Sequence, residues 1–170
     1  MPLIQSCAIP DGGLLHSYLT EHGFADCYTT ALEGDVSQEE FVTAFYTTWL
    51  FKVERWILRW AVSKPSTDRD AAQLAQGLSN SFAAWRVEAR SNDQLLMCDF
   101  LGNTRSWLMV AAQYGRTQLY FGSAIVARQD PKTGQRRLGW TFRALLGFHR
   151  LYSRMLLRAA RSRLKARTRQ

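Results

Sequence analysis

From Phe82 to Arg128 the chain alternates apolar and polar residues with a period of two and is broken at three tight punctuations, a pattern that few folds can hold. Trp85, Val87 and Ala89 oppose Arg86, Glu88 and Arg90, the signature of a half-buried antiparallel strand. Ser91-Asn92-Asp93 turns this run into Gln94–Phe100, Gly102-Asn103 turns that into Thr104–Gln113, and Tyr114-Gly115-Arg116 leads into Thr117–Arg128. Four strands joined by such short connections make a meander.

The rest of the chain has to cover that sheet. Phe24–Leu32 reads as an earlier strand, with Phe24, Asp26, Tyr28, Thr30 and Leu32 on one face and Ala25, Cys27, Thr29 and Ala31 on the other. Ser37 followed by Glu40 is a capping-box signature. The helical run behind it gathers Val42, Phe45, Tyr46, Trp49, Val53, Trp56, Ile57 and Trp60 into one arc, with Phe51 on the opposite side and a break expected nearby. A short helix follows over Asp68–Gln76. Leu138–Lys165 reads as one long amphipathic helix in which Phe142, Leu145, His149, Tyr152, Leu156 and Ala159 oppose a stripe of Arg143, Arg150, Arg154, Arg158, Arg161 and Lys165. The expectation is an α+β domain over residues 24–165: a first strand, helices, and a four-strand meander whose curved antiparallel sheet packs on the C-terminal helix. Residues 1–23 read as an irregular lead-in and 166–170 as a frayed basic tail.

This order, together with the segments Phe24-Ala25-Asp26-Cys27-Tyr28 and Phe41-Val42-Thr43-Ala44-Phe45-Tyr46, resembles the helix-grip fold of the START and birch-pollen-allergen-like superfamily. The resemblance implies a sheet that grips the last helix and a cavity for an apolar ligand between them. The five strands expected here are fewer than the family's usual seven or so, and no hairpin precedes the meander.

Charge enters the argument through its distribution. The net charge is +8, yet 12 of the 22 Lys and Arg residues and none of the 14 acidic ones fall after residue 130. Six aligned cations without an acid suit an anionic membrane surface or a phosphate, and nucleic acid is the less favoured partner. The acidic remainder of the chain, or a homodimer, offers an internal counterweight. The N-terminus lacks the basic and apolar regions of a secretory signal, and no run reaches the roughly 18 apolar residues that span a bilayer. Cys7, Cys27 and Cys98 lack metal-ligand spacing, so the expectation is a cytoplasmic protein, with peripheral membrane contact open, holding no metal and no cofactor.

No nucleophile elbow, P-loop, dinucleotide fingerprint or zinc motif is present. The leading expectation is therefore a protein that binds a small hydrophobic or amphipathic molecule between sheet and last helix, through Trp107, Tyr120, His149 and Tyr152. An enzyme of the cyclase or hydratase kind is the alternative, with His149 as acid or base beside Asp26 or Asp99. Asp99 also has a plain structural reading as an ion-pair partner of Arg105 across the hairpin. Both faces of Thr104–Gln113 are apolar, so helices are expected on one side and a partner subunit on the other.

Overall fold

The computed structural model of the protein describes residues 4–19, 24–61, 65–126, 128–129, 136–137 and 140–167; the side chains of 54, 57–61, 128–129, 136–137 and 140–148 are outside what it describes. It is an α+β fold with a curved, wholly antiparallel sheet of seven strands in the order β1-β2-β7-β6-β5-β4-β3. The meander expected from the alternation is its body: β4 (Trp85–Arg90), β5 (Gln94–Asp99), β6 (Thr104–Gln113) and β7 (Arg116–Ile125). Tyr114 and Gly115 both take positive φ, 47° and 76°, which matches the twist of the β6–β7 hairpin they close. β2 (Phe24–Glu33) pairs with β7 along its whole length, from Phe24 opposite Ile125 to Glu33 opposite Arg116.

Two strands of this sheet lie beyond the five expected. β3 (Ser81–Phe82) folds back on β4 through a turn at Ala83-Ala84, where one unbroken strand was expected from Phe82. β1 (Gln5–Ser6) pairs with Thr29 and Tyr28 at the free edge of β2. Residues 1–23 are thus no loose lead-in where they are described. After β1 the chain crosses the outer face of the sheet as a strap, with a 3₁₀ helix over Leu14–Tyr18. Ile9, Leu14, Leu15 and Tyr18 pack there on Leu96, Trp107, Met109, Tyr120 and Ala124. The strap does the covering that a partner subunit was expected to do.

The helices cover the other face. α1 (Gln38–Tyr46) opens on the expected capping box, with the Glu40 N–H donating to Ser37 Oγ at 3.1 Å and the Ser37 N–H to Glu40 Oε2 at 2.8 Å. The aromatic run behind it is two helices, with the break at Thr47-Thr48, close to where one was expected. The Thr48 hydroxyl donates to Phe45 O and accepts from the Phe51 N–H, ending α1 and starting α2 (Trp49–Ala61). The phase slip turns Phe51 into the core and leaves Trp49 and Trp56 64 % exposed, the reverse of the expected arc. α3 (Asp68–Ala75) carries a second capping box, Thr67 with Asp70. The 28-residue α4 (Trp140–Arg167) buries Ser153, Leu156, Leu157, Ala160 and Leu164 against α1 and the sheet. A ribbon of β8 (Arg128–Gln129) and β9 (Arg136–Arg137) precedes it.

Candidate functional site

Strand parity decides which predicted residues can meet. In β2, Phe24, Asp26 and Tyr28 point toward the helices, whereas Ala25 and Cys27 point toward the strap. The register sets Asp26 opposite Ser123 and Cys27 opposite Gly122, and β6 brings Trp107 against that same Gly122. Trp107 and Tyr120 therefore belong to the strap side, with ring centroids 6.3 Å apart, while His149 and Tyr152 belong to the helix side. The four residues expected to line one pocket are divided by the sheet. Trp107 is fully buried, and its indole N–H donates to Gln94 Oε1 at 2.9 Å. The same oxygen accepts from the Leu14 N–H at 2.8 Å, and Gln94 Nε2 donates to Gly12 O at 3.2 Å, so this polar cluster is a clasp for the strap.

On the helix side, His149 meets the carboxylate that sequence reasoning could only guess at. Ser123, 3 % exposed, donates to Asp26 Oδ1 at 2.6 Å, and its oxygen lies 2.8 Å from His149 Nε2. His149 Nε2 is 3.6 Å from Asp26 Oδ2, and the Tyr28 hydroxyl donates to that oxygen at 3.2 Å. The hydroxyl of Ser123 has one proton, which is committed to Asp26, so Nε2 is the donor in its contact with Ser123. This order makes a relay from imidazole through hydroxyl to carboxylate, not a nucleophilic triad, in which the hydroxyl would donate to the imidazole. Burial, then the charge and hydrogen bond of Asp26, push the Tyr28 phenol up to about 12 against the opposing pull of Arg154 and Arg150, so it remains a donor through the neutral range. Ser123 carried no signal in the sequence beyond its place on an alternating strand.

Asp99 is elsewhere. Its Oδ1 accepts from the Asn103 and Thr104 N–H groups and closes the β5–β6 turn. Arg105 does not pair with it: Nε lies 2.9 Å from Glu88 Oε2, and the guanidinium lies over Tyr18, whose hydroxyl also donates to Glu88. The arginine stripe is partly absorbed by the fold. Arg150 lies 5.9 Å from the centroid of the Phe24 ring, Arg154 5.3 Å from that of Tyr28, and Arg161 Nε donates to Ala31 O at 3.1 Å. Arg158 and Lys165 are exposed, and the Arg143 side chain lies outside the described residues.

Between sheet and helices, where an apolar cavity was expected, the described side chains include a buried aromatic cluster; the side chains of 140–148 are outside what is described. The Phe45 ring lies tilted against Phe121 with centroids 4.8 Å apart, and Tyr46 meets Phe51 at 4.9 Å and Phe82 at 5.2 Å. Open space lies at the free edge of β2, in a cleft of about 640 Å³. Its strap wall includes Cys7, Ile9, His16 and Leu19; Phe24, Asp26 and Tyr28 form its floor; Arg150 and Arg154 of α4 overhang it. Asp26 thus belongs both to the relay and to the cleft. A second depression of about 460 Å³ lies by Lys52, Arg55 and Asp68, but its charges are paired to each other: Lys52 Nζ is 2.6 Å and Arg55 Nη1 2.7 Å from Asp68. Among the described residues no group of three or more His, Cys, Asp or Glu is arranged to hold a metal ion, and no helix is long and apolar enough to cross a membrane.

No family model matches the sequence, and no curated protein matches it. Among solved structures the chain is similar to that of CalU16 from Micromonospora echinospora, at 12 % identity over 98 % of this chain and 94 % of that one. The TM-score is 0.29, too low for the likeness to bear on fold or function.

Proposed function

We propose that the protein is a helix-grip protein of the START and birch-pollen-allergen-like kind that binds a small amphipathic molecule in the cleft at the β2 edge. The observation that carries this reading is the lining. It combines apolar surface at Phe24, Ile9 and Leu19 with the guanidinium groups of Arg150 and Arg154 and the carboxylates of Asp11 and Asp26. The volume is that of an ordinary small-molecule site, about 300–1,000 Å³. An acidic head group, a carboxylate or phenolate, is taken by Arg150 and Arg154, and its apolar body lies along Phe24. Decanoate, followed by its displacement of the fluorescent probe anilinonaphthalene sulfonate, tests this directly. Arg154→Glu is expected to weaken decanoate by about 10-fold or more, the scale of one charged hydrogen bond, while Arg158→Glu changes it less than about twofold. Equal losses in the two variants would assign the effect to general charge and remove the cleft from the reading.

A second reading is favoured by the relay. His149, Ser123 and Asp26 form an acid–base chain that ends on a cleft-lining carboxylate, the equipment for moving a proton on a bound carbonyl compound as cyclases and hydratases do. It predicts that the protein speeds exchange of the α-protons of a 1,3-diketone with heavy water, and that Asp26→Asn abolishes the acceleration. If the variant and the parent give the same exchange rate, this chemistry is absent.

A further inference from the structure

Cys7 and Cys27 are 20 residues apart in the sequence, and the strap brings their Sγ atoms to 3.1 Å. The backbone puts them there. β1 pairs Gln5 with Thr29 and Ser6 with Tyr28, and the next step of that register sets Cys7 opposite Cys27, with the Cys7 N–H donating to Cys27 O at 3.0 Å. Directly opposed residues of an antiparallel pair have Cα atoms about 4.5–5.5 Å apart, within the span of about 4.4–6.8 Å that a disulfide bridges. Both residues line the cleft, and the half-buried Cys7 is the one that a small oxidant can reach.

We propose that Cys7 and Cys27 are a redox pair that closes to an intrachain disulfide on exposure to a mild two-electron oxidant of the peroxide class. Cys7, half-buried, is the attacking residue, because its side-chain interaction with Cys27 lowers its pKa against the opposing effect of burial. Its thiolate attacks one peroxide oxygen, becoming a sulfenic acid and releasing water once the departing hydroxide takes a proton. The Cys27 sulfur then displaces the sulfenic hydroxyl, its thiol proton leaves with that hydroxyl as a second water, and the S–S bond forms. Two thiols and one hydrogen peroxide give one disulfide and two waters. Cys27 is suited to resolve rather than to attack: Cys7 and burial push its pKa well up, and it is buried against the strap. The bridge staples the beginning of the strap to the edge strand and fixes one wall of the cleft. Cys98 takes no part, since it lies on β5, away from the pair, with its thiol donating to Asp99 O.

The test is peptide mapping by mass spectrometry of native protein treated with stoichiometric hydrogen peroxide and then alkylated without reduction. The expected result is a cross-linked species joining the Cys7 and Cys27 peptides, lighter than their sum by two hydrogen atoms, within a monomeric chain and with Cys98 alkylated. Cys27→Ser should halt the reaction at a Cys7 sulfenic acid that dimedone traps. Oxidised protein should melt about 5–10 °C above the reduced form, the scale expected for closing a loop of 20 residues. Native protein in which both thiols remain alkylatable overturns the proposal. So does a bridge that forms only in denaturant or only between chains. None of these outcomes depends on whether decanoate binds, so failure here leaves the ligand reading standing, and the reverse.

Discussion

Gln94 is the residue through which the strap is held, and Gln94→Leu isolates that role. The amide makes three hydrogen bonds, to the Trp107 indole N–H, the Leu14 N–H and Gly12 O. Leucine has similar bulk and keeps the strand. The fully buried Trp107 N–H would then have no acceptor, a cost of about 1–3 kcal/mol, and the half-buried Leu14 N–H adds about 1 kcal/mol because water reaches it only in part. Gly12 O is at an exposed residue and rehydrates. Burying a leucine side chain in place of the amide returns about 1 kcal/mol. The net loss is about 1–3 kcal/mol, or about 4–10 °C in Tm for a chain of this size. Urea unfolding measures the loss, and amide hydrogen exchange at Leu14 locates it in the strap. A double-mutant cycle with Trp107→Phe sharpens the test, since removing the indole N–H should recover about 1 kcal/mol of the Gln94→Leu cost. A destabilisation under about 0.5 kcal/mol, or strict additivity in the cycle, would refute the clasp.

Two further outcomes follow from contacts elsewhere. A Cβ on Gly122 would lie 2.7 Å from Leu15 Cδ2, 3.0 Å from Trp107 Cε3 and 3.0 Å from Asp26 O, so Gly122→Ala should cost about 1–3 kcal/mol in urea unfolding, with the strap displaced to make room. At the start of α3, burial raises the Asp68 carboxyl but the hydrogen bonds and charges of Lys52 and Arg55 outweigh it, holding the group below its ordinary 3.8. A depressed carboxylate stabilises the fold above that ordinary value and loses its contribution as pH falls through the folded one. Asp68→Asn should therefore lower stability at neutral pH by less than about 1 kcal/mol, given a side chain 45 % exposed, and the difference from the parent should shrink below pH 3.8.

The meander, the first strand, the capped start of α1 and the long last helix were legible in the sequence because each is a local property: alternation, turn residues, a capping box, a 3.6 period. The strap was not. Its apolar residues Ile9, Leu14, Leu15 and Tyr18 follow no single period, and its polar partner Gln94 lies 80 residues from Leu14 in the chain. The break between α1 and α2 was signalled by Phe51, which falls off the apolar arc, but its position rests on one hydroxyl, that of Thr48. The four pocket candidates fall on two sides of the sheet for a reason of parity. Trp107, Tyr120, His149 and Tyr152 all have the right chemistry, but which strand faces look the same way depends on the pairing register, which alternation alone leaves open.

That register also explains why the candidate relay and the candidate redox pair occur side by side. β2 is the one strand whose two faces both reach the cleft, and its period of two sends Asp26 to the helices and Cys27 to the strap. A slip of one residue against β7 would exchange them, burying the carboxylate among Trp107 and Leu15 and presenting the thiol to His149. The slip is opposed on both sides. The ten-pair ladder with β7 carries Ser123 to Asp26, while Thr29 Oγ1 donates to Leu119 O at 3.0 Å on the same pair of strands. On the free edge, where β1 supplies only two paired residues, a Cys7–Cys27 bridge would add a covalent lock at the position where the ladder runs out. The edge strand is thus both the floor of the cleft and the element whose alignment the oxidation state would fix.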